Sequence, residues 1–276
     1  MDPLVQECVI QAQVLFQLPP LQWQNDSPQS NDVEEFKRQT DESVFDPLLL
    51  RASVWKDFEE GRSVMRCKQC SLARVIWIQS KSKKVEPDWS TWGRVFQWYG
   101  KPQDGKPQDG TQWRIFWFPS ESKRTAPEPG LEVGPAHVNG GYTIPCTSSA
   151  IVIYRREEAT RVLLHEMSHA ACLDDQSESL VMREARTEMW AEIFLVAIKS
   201  EGSLQKAERL WKFQTQWIAD QNEFLRRKHA VQGPNNYAWR YTLGKELVLN
   251  QLRIQLPAPR PFNSKFLRFT HITLCS

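Results

Sequence analysis

The sequence predicts an α+β fold, in which segments that favour strands precede a run of helices. Two patterns along the 276 residues lead to this prediction. Short segments rich in β-branched and aromatic residues are typical of strands, and they lie at 72–80, 93–100, 111–120, 138–143 and 150–155. Longer segments with apolar residues three and four positions apart are typical of helices, and they lie at 156–172, 177–200, 203–229 and 236–254.

The N-terminal half contains two further features. Residues 32–61 are expected to form two short helices before the first of these strands. The segment "KPQDGKPQDG" (101–110) repeats a five-residue unit in tandem, and its Pro and Asp-Gly residues favour turns. Because it lies between two predicted strands, we interpret it as a duplicated hairpin tip with no function of its own.

A connector rich in Pro, Gly and charge covers residues 119–137 and suggests how the chain is divided. Residues 1–130 are predicted to be an N-terminal region of mixed helix and strand, either a subdomain or part of the same sheet. Residues 131–256 are predicted to be a second domain, which contains the candidate site described below. Residues 257–276, which begin with a Pro-rich stretch, are predicted to be an irregular tail.

Composition narrows the classes of partner. The 35 basic and 33 acidic residues nearly balance, which argues against nucleic acid as a partner. No run of eighteen apolar residues and no secretory signal pattern are seen, so no membrane span is expected. Six scattered cysteines are typical of free thiols in a reducing compartment, which predicts an intracellular protein, cytoplasmic or nuclear; they are Cys8, Cys67, Cys70, Cys146, Cys172 and Cys275. Nothing in the sequence predicts the oligomeric state.

The segment "HEMSH" (165–169) is the strongest candidate for a functional site. His165 and His169 are four residues apart on a predicted helix, so both imidazoles project from the same face. This spacing lets two nitrogens bind one zinc ion. Glu166 then lies beside the metal, where a general base takes a proton from an activated water. The apolar strand "AIVIY" leads directly into the helix and supports this interpretation.

A catalytic zinc site needs a third protein ligand, and the sequence offers two candidates. Glu188 follows His169 on the next predicted helix and shares one helix face with Glu184 and Glu192. Asp175 lies six residues after His169, but that arrangement needs a sharp turn at Cys172, where glycine would fit better. We favour Glu188. The competing interpretation of the acidic residues is a solvated stripe on a helix surface.

The motif H-E-x-x-H, eighteen further residues and then Glu resembles the gluzincin class of zinc metallopeptidases. The resemblance covers roughly residues 150–195. It implies one Zn²⁺ ion bound by His165, His169 and Glu188, with Glu166 as base and Glu192 as a second-shell acid. It also implies a zincin-like fold, in which a twisted mixed sheet and the active-site helix precede a mainly helical subdomain. A weaker likeness, carried by "VNGGYT", "IVIYRREE" and "VLLHEMSHA", is to uncharacterised putative proteases of large DNA viruses.

Gluzincins usually add a Tyr or His that stabilises the oxyanion, and it comes from a later helix. Tyr241 and Tyr237, four residues apart, are the candidates here, with His229 as a further option. Residues 137–143, "HVNGGYT", are interpreted either as an edge strand that binds an extended peptide or as a glycine-rich bulge.

The sequence therefore predicts a zinc-dependent metallopeptidase that cleaves polypeptides. Two alternatives remain open. One is an inactive zincin-like binding module whose structural zinc has a fourth ligand from Cys172, Asp174 or Asp175. The other is an exopeptidase, either a carboxypeptidase or an aminopeptidase. A basic pocket that binds a terminal carboxylate through Arg186 or Arg240 would favour the carboxypeptidase.

Overall fold

A computed structural model describes residues 1–100, 112–147, 150–262 and 264–274 of the chain. The chain divides into two compact units. The sheet unit contains Leu18–Ser122 and Gly140–Leu173, and the helical unit contains Met1–Gln17, Lys123–Asn139 and Asp174–Ser276. Each unit therefore takes residues from both sides of position 130, where the sequence analysis placed a consecutive boundary.

The sheet unit is built on a mixed sheet with the strand order β1-β2-β3-β4-β6-β5. The β3–β4 and β4–β6 pairs are parallel and the other neighbours are antiparallel. The strands are β1 Gln24–Asp26, β2 Ser63–Gln69, β3 Ala73–Ser80, β4 Trp113–Trp117, β5 Gly141–Thr143 and β6 Ile151–Ile153. The predicted strands at 72–80, 111–120 and 150–155 are confirmed, and the α+β class is confirmed with them.

The helices of the sheet unit are α2 Ser30–Arg38, α3 Leu50–Glu59, α4 Trp89–Tyr99 and α6 Ala159–Ala170. The two predicted short helices within 32–61 correspond to α2 and α3. They cover a core that combines residues of both helices with apolar residues of the sheet, including Phe36, Trp55, Ile76, Ile78, Phe116, Phe118 and Val152.

The strand predicted at 93–100 is wrong, because these residues belong to α4. Asp88 caps this helix by accepting a hydrogen bond from the Thr91 N–H at 3.0 Å. From the cap onward, the large aromatic residues are spaced three or four apart, as a helix requires; they are Trp89, Trp92, Phe96 and Tyr99. A segment that starts at Gly93 omits the cap and the first turn, and it then resembles a strand.

The repeat at 101–110 lies outside the described residues, so its interpretation as a hairpin tip stays a prediction. The residues that precede it are a helix rather than a strand, and β4 pairs in parallel with β3.

Tryptophans form much of the interior of the sheet unit. Trp77, Trp92, Trp113 and Trp117 are each no more than 2% exposed. Three of them, Trp77, Trp92 and Trp113, donate their indole N–H to Val85 O, Thr160 Oγ1 and Gly100 O respectively. Their role is therefore core packing, because each ring buries a large apolar area. The indole nitrogen of Trp117 is the exception among the four, since it is buried without a hydrogen-bond partner among the described residues.

The helical unit contains α1 Pro3–Gln17, α5 Pro135–Val138, α7 Leu180–Lys199, α8 Leu204–His229 and α9 Leu243–Gln251. Helices α7 and α8 lie close to their predicted bounds, 177–200 and 203–229, whereas α1 was not predicted. Ser179 and Ser203 cap α7 and α8 by accepting hydrogen bonds from backbone N–H groups in the first turn. Within the described residues, no helix combines the length and the apolar character that a membrane crossing needs.

The helix predicted at 236–254 is interrupted. A 3-10 helix covers Tyr237–Tyr241, and α9 begins at Leu243. Thr242, between them, has φ −132° and ψ −90°, which is outside the helical region. The C-terminal tail is irregular over most of its described length, apart from a 3-10 helix at Ile272–Leu274. It is fixed to the connector by the bridge between Thr125 and Phe266.

Strand β5 is the edge of the sheet next to β6. The predicted strand at 138–143 is therefore correct only for its last three residues, because α5 extends through Val138. Tyr142 is anchored by a buried polar cluster: its hydroxyl donates to Gln39 Oε1 at 2.6 Å and accepts from Arg51 Nη1 at 2.5 Å. Arg51 forms an ion pair with Asp46, and both side chains are buried. The Asp46 carboxylate thus neutralises the guanidinium that contacts Tyr142 of β5.

Gly141 allows β5 to approach helix α6 closely. A Cβ atom at this position would lie 2.6 Å from Val162 Cγ1, 2.8 Å from the Val152 carbonyl oxygen and 3.3 Å from Glu166 Cγ. Because one of these atoms is backbone, the contact cannot be relieved by a side-chain rotation.

We predict that Gly141→Ala lowers the free energy of unfolding by about 1–3 kcal/mol, since the added methyl group overpacks the β5–α6 contact. Urea unfolding followed by circular dichroism measures the change. Gly233→Ala is the control, because nothing lies within 4 Å of a Cβ at that glycine. Equal stability of the two variants would contradict the packing argument.

Candidate metal centre

Helix α6 carries the H-E-x-x-H motif, and the structure buries all three of its functional side chains. His165, Glu166 and His169 are each 6% exposed. The two imidazoles face one another, with Nε2 of His165 and Nε2 of His169 3.0 Å apart. The rings are nearly perpendicular, with an interplanar angle of 79°. The i, i+4 spacing thus brings two nitrogens to one point, as the sequence predicts.

Helix α4 supports α6 from within the sheet unit. The Tyr99 hydroxyl donates to the carbonyl of Leu164 at 2.8 Å and lies 2.8 Å from Ser168 Oγ. Trp92 donates its indole N–H to Thr160 Oγ1 at 3.0 Å. These bonds hold the backbone on either side of His165, so they limit how far the imidazoles can move. This support was not predicted, because residues 93–100 were interpreted as a strand.

A disulfide joins the end of α6 to the segment after β5. Cys146 and Cys172 are bonded, with their Cα atoms 4.4 Å apart. The prediction that all six cysteines are free thiols is therefore wrong for this pair. Spacing along the chain did not reveal it, because the two residues are 26 positions apart and meet only through the tertiary fold. The other described cysteines, Cys8, Cys67 and Cys70, are free.

Cys172 adopts the conformation that the sequence analysis reserved for glycine. Its φ is +58°, in the left-handed region. The Cys172 N–H donates a hydrogen bond to the His169 carbonyl, and the Leu173 N–H donates one to the Ser168 carbonyl. This is the hydrogen-bond pattern of a Schellman motif at a helix C-terminus. The missing glycine is therefore no argument against Asp175 as a ligand.

The surroundings of Asp175 argue against it on other grounds. Asp175 is exposed, and its Oδ1 accepts hydrogen bonds from the Ser177 N–H at 2.9 Å and the Ser177 hydroxyl at 2.6 Å. The Ser177 hydroxyl, followed by its N–H, lowers the pKa of the Asp175 carboxyl. This carboxylate stabilises a local turn, which is an ordinary role for aspartate.

Helix α7 carries the acidic residues Glu184, Glu188 and Glu192 at intervals of four. Glu188 is 2% exposed and Glu192 is 1% exposed, whereas Glu184 is half-buried. The interpretation of these residues as a solvated stripe is therefore wrong for Glu188 and Glu192. Buried carboxylates need charged or hydrogen-bonding partners.

Glu192 has such partners within the helical unit. Its Oε1 pairs with Lys245 Nζ, and its Oε2 accepts from Gln214 Nε2 at 2.8 Å. Lys245 is 1% exposed, so the ion pair is buried on both sides. Burial raises the pKa of Glu192, and the charge of Lys245 opposes that rise. The second-shell role that the sequence suggests for Glu192 stays a prediction. Lys245 carries no sequence motif and was missed.

The two candidate tyrosines lie together in the 3-10 helix Tyr237–Tyr241, with their hydroxyl oxygens 3.5 Å apart. Tyr237 donates to Asn139 Oδ1 at 2.9 Å. Burial raises the pKa of Tyr241 well above its ordinary value, and the negative charge of Glu184 adds to the rise, as does that of Glu188. Tyr241 therefore stays protonated at neutral pH and is available as a hydrogen-bond donor near the acidic face of α7.

The remaining candidates are also placed by the structure. His229 ends α8 and is buried, with its Nδ1 3.1 Å from the Leu131 carbonyl oxygen. Arg186 forms a hydrogen bond of 3.0 Å from its Nε to Glu178 Oε2, which occupies the guanidinium. The Cζ atom of Arg240 lies 4.7 Å from the centre of the Tyr237 ring. Burial raises the pKa of Cys67 to about 12, so this thiol is unreactive in the fold.

Comparison of the chain with protein-family models, with curated proteins and with solved structures found no match. Function is therefore inferred from the residues themselves.

We predict that Lys245→Met lowers the free energy of unfolding by about 3–5 kcal/mol, because it leaves the Glu192 carboxylate buried without its cation. Chemical denaturation measures this loss. The double variant Glu192→Leu with Lys245→Met removes both charges, and we expect it to recover most of the stability.

The matched control is Lys206→Met. Lys206 forms an ion pair with Glu201 in which both side chains are exposed to solvent, so its loss is expected to cost less than about 1 kcal/mol. If Lys245→Met proves no more costly than this control, the buried pair does not stabilise the helical unit.

Proposed function

We propose that the protein is a zinc-dependent metallopeptidase of the gluzincin type. The observation that supports it most directly is the buried pair of imidazoles on α6, whose Nε2 atoms lie 3.0 Å apart beside the carboxylate-bearing residue Glu166. In the proposal His165, His169 and Glu188 bind one Zn²⁺ ion and Glu166 is the general base.

The histidine pair fits zinc. Two nitrogens bound at about 2.0–2.1 Å to a tetrahedral ion lie about 3.3 Å apart, and the observed separation is 3.0 Å. Without a metal, one Nε2 must carry a proton and donate it to the other Nε2, which fixes the tautomer of each neutral ring. A bound cation instead accepts the lone pairs of both Nε2 atoms. Nitrogen donors from histidine are also the ligands that zinc commonly takes in proteins.

The choice of the third ligand depends on the sequence spacing, and the burial of Glu188 supports it. Carboxylate oxygens are among the ligands that zinc takes in proteins, and the Glu188 side chain is buried, at 2% exposed. Glu184, one turn earlier and half-buried, is the neighbouring carboxylate on the same face. Asp175 is less suitable because it is exposed and its carboxylate already accepts a hydrogen bond from Ser177.

A bound zinc ion would act as a Lewis acid towards a carbonyl group and would lower the pKa of a water molecule. Glu166 then accepts the proton of the attacking water and passes it to the leaving amine. Burial of the Glu166 side chain keeps bulk water from competing for this proton. The hydroxyl of Tyr241 would donate a hydrogen bond to the developing oxyanion. Tyr237 is the second candidate, and it would first have to release its hydrogen bond to Asn139.

Strand β5 suggests why the substrate is a polypeptide. The Tyr154 N–H donates a hydrogen bond to the Gly140 carbonyl oxygen. Hydrogen-bonded pairs alternate along an antiparallel ladder, so the next such pair between β5 and β6 is Tyr142 with Val152. The backbone groups of Gly141 and Thr143 then point away from β6, to the open side of the edge strand. An extended peptide is the ligand that pairs with such an edge.

A binding module with a structural zinc site is the second candidate, and it needs a fourth protein ligand. The three residues considered for that ligand are engaged elsewhere. The sulfur of Cys172 is bonded to Cys146, Asp174 accepts a hydrogen bond from Thr187 at 2.7 Å, and Asp175 accepts from Ser177. If none of these three residues binds the ion, its fourth position would be left to water, as in catalytic zinc sites.

We predict that Glu166→Gln retains one zinc ion per chain and lowers the rate of peptide hydrolysis by about 100-fold to 10,000-fold, because the general base is lost and the ligands are kept. Elemental analysis gives the metal content, and cleavage of a fluorogenic peptide library gives the rate. Glu59→Gln, at an exposed glutamate of α3, is the control. A Glu166→Gln protein that cleaves as fast as wild type would sink the mechanism.

The ligand assignment makes a separate prediction about metal affinity. Glu188→Ala is expected to weaken zinc binding by more than about 100-fold, since it removes a direct ligand rather than an orienting group. Glu184→Ala and Asp175→Ala are expected to bind zinc as wild type does. Titration against a zinc-chelating dye measures all three variants. Loss of binding in Glu184→Ala or Asp175→Ala alone would transfer the role of third ligand to that residue.

A further inference from the structure

The Cys146–Cys172 disulfide closes a segment of the sheet unit around the metal-binding motif. Cys146 follows the edge strand β5, and Cys172 follows the last turn of α6. The chain between them contains β6 and all of α6, including His165, Glu166 and His169. The bond therefore ties the two ends of the segment that carries the motif.

Both cysteines also hold the backbone of a proposed ligand. The carbonyl oxygen of His169 accepts the N–H of Cys146 at 2.9 Å and the N–H of Cys172 at 3.0 Å. The disulfide keeps these two donors in place at the same acceptor. The position of the His169 backbone thus depends on residues at both ends of the covalent link.

The conformation of the two cysteines adds a second observation. Each has φ of +58°, in the left-handed region that disfavours residues with a Cβ atom. Such conformations persist when the surrounding structure determines them from several sides. At Cys172 the helix end would accept glycine without strain, so the covalent bond is one of the constraints that keep cysteine there.

The disulfide is accessible to reagents in solution. Cys146 and Cys172 are both exposed, whereas Cys8, Cys67 and Cys70 are buried free thiols. Among the cysteines that the structure describes, this pair is the one that a reductant reaches without unfolding the protein. Thiol–disulfide exchange requires such access.

We propose that the Cys146–Cys172 disulfide is a redox latch: a dithiol reductant opens it, releases the segment after β5 from the end of α6 and weakens retention of the metal. This inference deepens the proposed function and rests on it, because it assigns regulation to the same metal centre.

The reaction balances as an ordinary exchange. A thiolate of the dithiol attacks one sulfur of the disulfide, the Cys146–Cys172 bond breaks, and a mixed disulfide forms with the reductant. The second thiol of the reductant displaces the remaining protein thiol and closes a cyclic disulfide. Two electrons and two protons pass from the dithiol to Cys146 and Cys172, and no other reactant is consumed.

Opening the latch loosens His169. Without the covalent tie, residues 144–147 are no longer held at the helix end, and the His169 carbonyl loses the N–H of Cys146 as a fixed donor. Metal sites retain their ion when the ligands are held rigidly by surrounding contacts. The imidazole of His169 then departs more readily from its position opposite His165.

The test compares the oxidised protein with protein reduced by dithiothreitol, blocked with iodoacetamide and freed of both reagents. Mass spectrometry of the intact protein is expected to show two more blocked cysteines than oxidised protein treated with iodoacetamide, and peptide mapping is expected to place these two at positions 146 and 172. We expect zinc to leave the reduced protein at least about 10-fold faster under a chelating dye, by analogy with the loss of groups that orient a ligand. The melting temperature is expected to fall by about 5–10 °C.

Two variants serve as controls. The double variant Cys146→Ser with Cys172→Ser is expected to release zinc as fast as reduced wild type and to be unaffected by dithiothreitol. Cys8→Ser, at a buried free thiol, is expected to keep the redox response of wild type. Equal rates of zinc release from oxidised and reduced wild type, with both fully folded by circular dichroism, would overturn the latch.

Hydrogen exchange separates failure of the latch from failure of the zinc proposal. It is measured on metal-free protein in peptides that cover residues 144–147 and 170–173. Faster exchange after reduction supports the latch even if the oxidised protein binds no zinc, a result that would overturn the proposed function alone. Unchanged exchange in both peptides overturns the latch whatever the metal content.

Discussion

The burial of His165, Glu166 and His169 on one helix is the constraint on which the rest of the sheet unit depends. Polar side chains that are 6% exposed are costly unless they have partners and fixed positions. Tyr99 fixes the middle of α6 through the Leu164 carbonyl. Gly141 has no Cβ atom, and this lets β5 lie against the same helix. Contacts from α4 and β5 thus restrict the position of α6.

The helical unit solves a similar problem with charge. Glu192 and Lys245 are buried together, and Gln214 links the carboxylate to the Phe269 carbonyl. A buried ion pair adds little to stability compared with apolar packing, but removing one partner is costly. The pair therefore restricts how α7 and α9 pack, and α7 is the helix that carries Glu188. In each unit, groups suited to chemistry lie on a helix whose neighbours are fixed by polar contacts.

The fold was predictable from sequence where local pattern and tertiary structure agree. Helices α7 and α8 have long apolar faces and serine caps, and their bounds were close to the predicted ones. The edge position of β5 was anticipated from Gly141 and its neighbours, although α5 takes the first residues of that segment. Helix α4 was mistaken for a strand because its aromatic residues favour strands in isolation, whereas in the fold they line one buried helix face.

The sequence by itself determined that His165 and His169 share one helix face, because an i, i+4 spacing places both side chains there. The structure then brings their Nε2 atoms within 3.0 Å. The sequence also determined that Glu184, Glu188 and Glu192 share a face of α7. Only the tertiary structure decided that Cys146 bonds Cys172, that Cys172 takes a glycine-like conformation and that Lys245 neutralises Glu192. The physical reason is range: helix periodicity acts between neighbours in the chain, whereas these contacts join residues 26 and 53 positions apart and form only when the fold brings them together.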